Sequence, residues 1–558
     1  MKRFLAGTFL LLTVLTAVMT YPQVLGLRDT VHDDGDPLLN AWTLSWVAHQ
    51  LPRAPARMFD ANIFYPERGS LVFSETLLVP GIIAAPLHWL GAGPLLVYNL
   101  VFLSGFIISG VGTALLVRHL TGNSAAGVLS GIIFAFLPYR IDHYAHLQLQ
   151  LTQFIPLAMW AFHRLLESGR TRHAVLLGLC VAAQLMTCTY YGIFLVPYMA
   201  VVCGVMLLAD RDLARRRLAA FAISAVVCLI AVAPVGRAYL GARDLVGERP
   251  QWEIANGSAT ARNYLGPPPS NVLYGTALAR FGEAERRLFP GFVAVILAAC
   301  AFWPSRLRSD MRVEPGHSRR LSTRIAYALG LLFAFDVSLG FNGFSYYVLY
   351  EYVLPFRGLR IPARMGVMVG FTLAVLAGFG VARIADRVRS VTRQRAIVAA
   401  LALLVLAEDA TKPLDSRKIP LAPPEIYADV LTDRGDSPTT ALFEFPATPY
   451  DDPTYMYFST FHWQHLVNGY SGFFPPSYHL LGLSLANFPD DESIRAIKAR
   501  GARYLLIHGE RLYGDRYNEV IAGLERRPDL KLLSRRPWQL EDKHSEISVY
   551  RVSYDERQ

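Results

Sequence analysis

Three carboxylates fall within four residues in the run Val31-His32-Asp33-Asp34-Gly35-Asp36-Pro37. Like charges packed this closely repel one another, so the cluster is costly unless a proton, a cation or a substrate compensates it. Asp-Gly is also good chemistry for a tight solvated turn, and the cluster alone leaves both readings open. Two other runs concentrate polar chemistry. Pro355-Phe356-Arg357-Gly358-Leu359-Arg360-Ile361-Pro362-Ala363-Arg364 holds three guanidinium groups, which are permanently charged and bidentate, as anion recognition requires. Pro138-Tyr139-Arg140-Ile141-Asp142-His143-Tyr144-Ala145-His146 crowds charge, imidazole and aromatic rings together. His143 and His146, three apart, can share one helix face. Two histidines do not complete a metal site, so a polar cavity wall is the better reading of that pair.

The elements that must position these groups are membrane helices. The chain has 558 residues, 53% hydrophobic and 18% charged, against about 25% charged in ordinary soluble proteins. Apolar runs predict eleven spans at about 4–25, 95–117, 124–138, 149–166, 174–188, 190–208, 218–235, 288–304, 325–340, 365–383 and 396–409. The run Glu75–Leu90 holds a glutamate and two prolines and is short for a crossing. If it does not cross, Lys2-Arg3, Arg118, Arg170–His173, Arg211–Arg217, Arg306–Arg324 and Arg383–Arg395 all fall on the cytoplasmic side, as the positive-inside rule requires. The expectation is an α-helical polytopic membrane protein with its N-terminus in the cytoplasm. Residues 1–410 form the membrane domain, 26–92 its first outer loop, and 411–558 an extracytoplasmic α/β domain. Trp42 and Trp46, four apart, suggest an interfacial helix in that loop.

The net charge of +10 is spread in short blocks between apolar runs, which argues for topogenic charge and against nucleic acid. All five cysteines sit inside apolar runs without ligand or disulfide spacing.

This order of features resembles the C-type glycosyltransferases, integral membrane enzymes that use polyprenyl-phosphate-linked sugars. Gly35-Asp36-Pro37 with Trp42 and Trp46, Phe59-Asp60-Ala61-Asn62-Ile63-Phe64-Tyr65-Pro66, and Pro138-Tyr139-Arg140 are similar to segments of YfhO-like bacterial members. The likeness is architectural over about 1–410 and motif-level only in these patches. It implies an inverting transfer of a hexosyl or pentosyl group to a cell-envelope acceptor, at the outer face of a bacterial cytoplasmic membrane. It also implies that an acidic residue of the first outer loop, Asp34 or Asp36, is the catalytic base or holds a divalent cation in that role. A carboxylate in reach of the acceptor hydroxyl takes its proton, and arginines stabilise the leaving phosphate. Arg140, Asp142, His143, His146, Arg357, Arg360 and Arg364 are therefore the candidate substrate-binding residues. For the three outer-edge arginines, lipid-headgroup anchoring is the competing role.

The C-terminal part contains strand-like runs at Ala441–Pro446, Tyr504–His508 and Glu546–Tyr550, with a helical stretch Asp491–Arg500 before the second. The run His462–Pro476, dense in Gly, Pro and aromatics, suits either a sugar surface or a packed loop. A transporter or flippase is the rival class. Spans nearly free of central charge, with polar groups at their outer ends, weigh against it.

Overall fold

The computed structural model describes residues 1–303, 315–437, 439–540 and 543–554. The end of the expected span 288–304 and residues 306–314 of the basic connector lie outside the described residues. The chain divides into two compact units. The first comprises Met1–Leu25, Leu100–Val235 and Glu248–Asp415; the second comprises Gly26–Asn99, Gly236–Gly247 and Ser416–Gln558. Residues 26–99, assigned from sequence to the membrane domain, thus fold with the C-terminal part.

The first unit is helical. Among the described residues seven helices are long and apolar enough to cross a bilayer: Lys2–Met19, Pro94–Thr121, Ser124–Asp142, Thr189–Ala209, Arg211–Leu245, Leu321–Ser338 and Pro362–Asp386. The protein is a multi-pass membrane protein. The other four expected spans are also helical, as Phe154–Ser168, Thr171–Thr187, Phe292–Cys300 and Val391–Glu408. Three of them are short: 15 residues rise only about 22 Å, less than the roughly 30 Å hydrocarbon thickness. The helix Leu78–Trp89, in the second unit, has 12 residues and is shorter still.

Local chemistry sets where these helices begin and end. Asn123 caps Ser124–Ala135, its side-chain oxygen accepting from the Ala125 and Ala126 amides at 2.9 and 3.0 Å. Gly169, at φ +62°, closes Phe154–Ser168 in the left-handed conformation that glycine adopts without strain. The helix Gly366–Asp386 runs through the centre of this unit, buried almost throughout, against Ser124–Ala135, Phe292–Cys300 and Pro315–Ser338. Its glycines let backbones approach closely: a Cβ on Gly380 would collide with the Leu297 carbonyl oxygen. The helix Arg211–Leu245 is the opposite case. It exposes Leu218, Val226, Leu229 and Ile230 as a lipid-facing surface does.

The second unit is built on a five-stranded mixed sheet in the order β4-β3-β5-β7-β6. The strands are β3 (Ala441–Phe445), β4 (His465–Leu466), β5 (Tyr504–His508), β6 (Leu530–Leu540) and β7 (Lys543–Val552). A separate two-residue ladder pairs β1 (Thr30–Val31) with β2 (Arg417–Lys418). β3 lies parallel to both β4 and β5, and every residue of β3 and β5 is buried, as expected of parallel strands covered on both faces. The amphipathic helix Asp491–Ala499, capped by Asp490, contributes Ile494 and Ile497 to a core with Phe443, Val467, Leu505 and Val520.

The helix Asp36–Gln50 corrects the expectation of an interfacial anchor. Trp42 and Trp46 are 1% and 6% exposed, with stacked rings 6.3 Å apart. The Trp42 indole N–H donates to Asn62 Oδ1 at 3.1 Å and that of Trp46 to the Met58 carbonyl at 2.8 Å. Nearly all residues of this helix are buried, on every side of it, so it is a buried core helix packed on Leu78–Trp89 and Asp452–Ser459. Asn62 in turn donates to Ser459 Oγ and the Gln464 carbonyl. Main-chain bonds from Phe64 and Tyr65 to Asn468 and Leu466 lay the Phe59–Pro66 segment along β4. That segment and the aromatic run after His462 are packing partners of each other.

Candidate active site

In the second unit the acidic run forms the entry to the buried helix. Asp33 accepts the Gly35 amide at 2.9 Å, the geometry of an Asx turn. Asp34 lies beside Arg417, Oδ2 to Nη1 at 2.7 Å, with both side chains at least one-third exposed. Asp36 is the first residue of the helix, and its Oδ1 accepts the Tyr470 hydroxyl at 2.8 Å. The two candidate carboxylates are therefore held by different partners. Among the described residues no group of three or more His, Cys, Asp or Glu side chains is arranged to hold a metal ion. A divalent cation at this pair would have to compete with Arg417 for Asp34 and with the Tyr470 hydroxyl for Asp36.

In the first unit the histidine corner and part of the arginine run meet at a residue the sequence did not single out. Glu285, at φ +67°, receives Arg364 as a bidentate partner at 2.6 and 3.0 Å. His143 and His146 lie 3.7 and 3.9 Å from the same carboxylate. Burial opposes ionisation of Glu285, but the Arg364 charge outweighs it and holds the carboxyl well below its usual range. Burial also drives the His143 imidazole down to about 3, against the pull of Glu285, so that ring is neutral at physiological pH. Asp142 pairs with Arg287 at 3.0 Å. The Arg364 guanidinium lies over the Tyr190 ring at 4.8 Å, and the Tyr190 hydroxyl accepts the Arg360 amide at 2.8 Å.

The remaining candidates separate from this cluster. Arg140 is fully buried and directs its guanidinium to the carbonyls of Phe134, Ala135 and Gln150, where it satisfies the C-terminal end of Ser124–Ala135. Arg357 bonds the carbonyls of Tyr350 and Glu351. The Arg360 side chain is exposed. Glu285 lies in the run Glu283-Ala284-Glu285-Arg286-Arg287; nothing in that alternation of charges marks the one carboxylate that turns inward.

The second unit also encloses a polar network. His508, fully buried, bonds Glu444 through Nε2 at 2.7 Å and Glu510 through Nδ1 at 3.1 Å. Tyr427 donates to Glu444 at 2.6 Å. Asp452, also buried, accepts from Asn468 and from the Tyr478 hydroxyl. Burial alone would lower the His508 pKa, but the Glu510 charge and the hydrogen bonds to Glu444 and Glu510 raise it to about 9. Burial raises Asp452 to about 8. Both groups thus hold protons in the folded state that the unfolded chain releases at lower pH, so stability falls as pH rises through 6.5–9 for His508 and 4–8 for Asp452. The unfolding midpoint of this unit is expected to drop between pH 6.5 and 9. His508→Gln should flatten the part of that slope above pH 8, where Asp452 has already titrated. An unchanged slope in the variant would contradict this assignment.

No protein-family profile matches the sequence, and no curated protein does. Solved structures do match. A variant of the arabinofuranosyltransferase AftD from Mycobacteria superposes over 100% of this chain at a TM-score of 0.63 and 15% identity. The chain has the C-type glycosyltransferase fold. It spans 42% of the length of AftD. The archaeal oligosaccharyltransferase AglB from Archaeoglobus fulgidus, with dolichol-phosphate, matches at a TM-score of 0.49 and 11% identity, over 91% of this chain and 69% of that one. ArnT from Cupriavidus metallidurans matches at 0.42 and 13%, over 98% of each.

Proposed function

We propose that this protein is a membrane glycosyltransferase that moves a sugar from a polyprenyl-phosphate carrier to an extracytoplasmic cell-envelope acceptor. The superposition of the whole chain on an arabinofuranosyltransferase carries this reading. In it, the acceptor hydroxyl attacks the anomeric carbon with inversion as the lipid phosphate leaves. Asp36 takes the hydroxyl proton, since the Tyr470 hydroxyl and the start of a buried helix hold its carboxylate in place. Asp34 is the alternative base, and a divalent cation at the pair is the metal-linked form of the same role. In the first unit, Arg360 is the candidate group for a phosphate of the donor: its guanidinium is exposed, whereas Arg364 is engaged by Glu285. The finer kinship with YfhO-like proteins rests on the Gly35–Pro37, Phe59–Pro66 and Pro138–Arg140 segments and belongs to this proposal.

The test compares lipid-linked sugars and surface glycans in a deletion strain and its parent. Loss of one glycan with accumulation of its lipid-linked donor is the expected result, restored by the wild-type gene. Arg360→Gln should restore it poorly, with a raised requirement for donor and unchanged protein abundance. Donor accumulating only on the cytoplasmic leaflet, with no sugar transfer by the purified protein, would instead establish the flippase.

A further inference from the structure

A cavity of about 740 Å³ opens in the first unit where the helices Pro94–Thr121, Phe154–Ser168 and Thr171–Thr187 carry their basic ends. Arg118, His119, Arg164, Arg172 and His173 line it, with Trp160 among them. The proposed transfer uses none of these residues.

The charges around the cavity do not balance. Glu167 bonds His119 at 3.0 Å and Arg164 at 3.2 Å. Among the described residues Arg118 has only neutral partners: its Nε donates to Ser124 Oγ, Nη1 reaches the Met1 sulfur, and the guanidinium lies over the Phe4 ring. Arg172 is exposed, and among the described residues no carboxylate lies within ion-pair distance of either Arg118 or Arg172. Three guanidinium groups, of Arg118, Arg164 and Arg172, thus face one carboxylate.

The rest of the wall is apolar, including Leu115 and Leu176. An anion bound by the arginines would therefore sit beside surface that suits hydrocarbon, with an indole of the kind found at the headgroup level. We infer that this cavity holds the phosphate headgroup of an anionic membrane phospholipid, its glycerol and upper acyl chain against Trp160, Leu115 and Leu176. Guanidinium groups bind phosphate bidentately, and basic pockets between membrane helices are established headgroup sites. A free phosphate offers nothing to the apolar wall, which favours the lipid as the source of the anion.

The experiment titrates the full chain, purified in neutral detergent, with phosphatidylglycerol, phosphatidylcholine and inorganic phosphate. Saturable binding of phosphatidylglycerol alone is expected. Arg118→Gln with Arg172→Gln should weaken it about 25-fold, roughly fivefold per guanidinium. The control, Arg389→Gln with Arg393→Gln, removes the same charge from a different connector and should leave binding intact. If the double variant fails to fold, Arg172→Gln alone, an exposed position, should still show the fivefold loss. Equal losses in the control would reduce the effect to general surface charge and overturn the site. Equally tight binding of inorganic phosphate or of phosphatidylcholine would also overturn it.

Discussion

Replacing Asp36 by asparagine is expected to slow sugar transfer by about 10²–10⁴, the usual cost of a lost general base, with protein abundance unchanged. The amide keeps an oxygen for the Tyr470 hydroxyl, so the helix entry survives and only the proton acceptor is removed. Asp34→Asn gives up the bond to Arg417, an exposed pair whose loss costs no more than about 1 kcal/mol of stability. Any large effect of that variant on rate is therefore chemical. Because separate partners hold the two carboxylates, one can serve as base while the other orients it or shares a cation. The double variant should then be little worse than the poorer single one. Inhibition by a chelator, reversed by a divalent ion, would establish the shared cation. Normal transfer with Asp33, Asp34 and Asp36 all changed to Asn would leave the run a turn and withdraw the catalytic assignment.

The second large effect belongs to Glu285 and Arg364. Removing one partner of a charge pair leaves the other uncompensated, at a cost of about 3 kcal/mol where the charge left behind is the nearly buried Arg364 and less where it is the partly exposed Glu285. Arg364→Gln strands Glu285 beside a neutral His143, and Glu285→Gln strands a guanidinium that is nearly buried. Each single variant is expected to unfold at clearly lower temperature. The double variant should recover part of the loss, with a coupling of about 1–3 kcal/mol. Additive losses would mean that the pair contributes nothing as a pair. Turnover separates structure from binding: a double variant that regains stability and activity makes the pair structural, whereas regained stability without activity assigns Arg364 to the donor.

Much of the helical scaffold was legible because length and hydrophobicity alone specify it. Each of the eleven apolar runs contains a helix among the described residues, and the Pro-interrupted run after Glu75 holds a helix of 12 residues, Leu78–Trp89. The strands at Ala441, Tyr504 and Glu546 were also visible as apolar runs. The partners of individual side chains were not. Trp42 and Trp46 have the spacing of an interfacial anchor, but Asn62 and the Met58 carbonyl, supplied by the chain beyond the helix, bury them. Arg140 looks like an anion ligand until the carbonyls of Phe134, Ala135 and Gln150 take up its donors. Glu285 was invisible because only the positive φ of its backbone and the distant Arg364 distinguish it from Glu283. Glu444 and His508 left a faint trace, one ionisable residue in each of two otherwise apolar runs. Only the parallel pairing of β3 and β5 brings them together.

The assembly of the second unit from residues 26–99 and 416–558 sets a timetable for biogenesis. The loop leaves the ribosome first, carrying Leu38, Leu39, Trp42, Trp46 and Val47 on a helix that has yet to meet Asp452–Ser459. More than three hundred residues must follow before that partner exists, a wait of roughly 15–60 s at ordinary translation rates. During that interval the nascent loop presents tryptophan and leucine side chains to whatever lies beside the translocon. Release from that state waits for Asp452–Ser459 to be made. A stop codon late in the gene would therefore damage the beginning of the protein as surely as its end, leaving the acidic run attached to a helix with part of its packing surface missing.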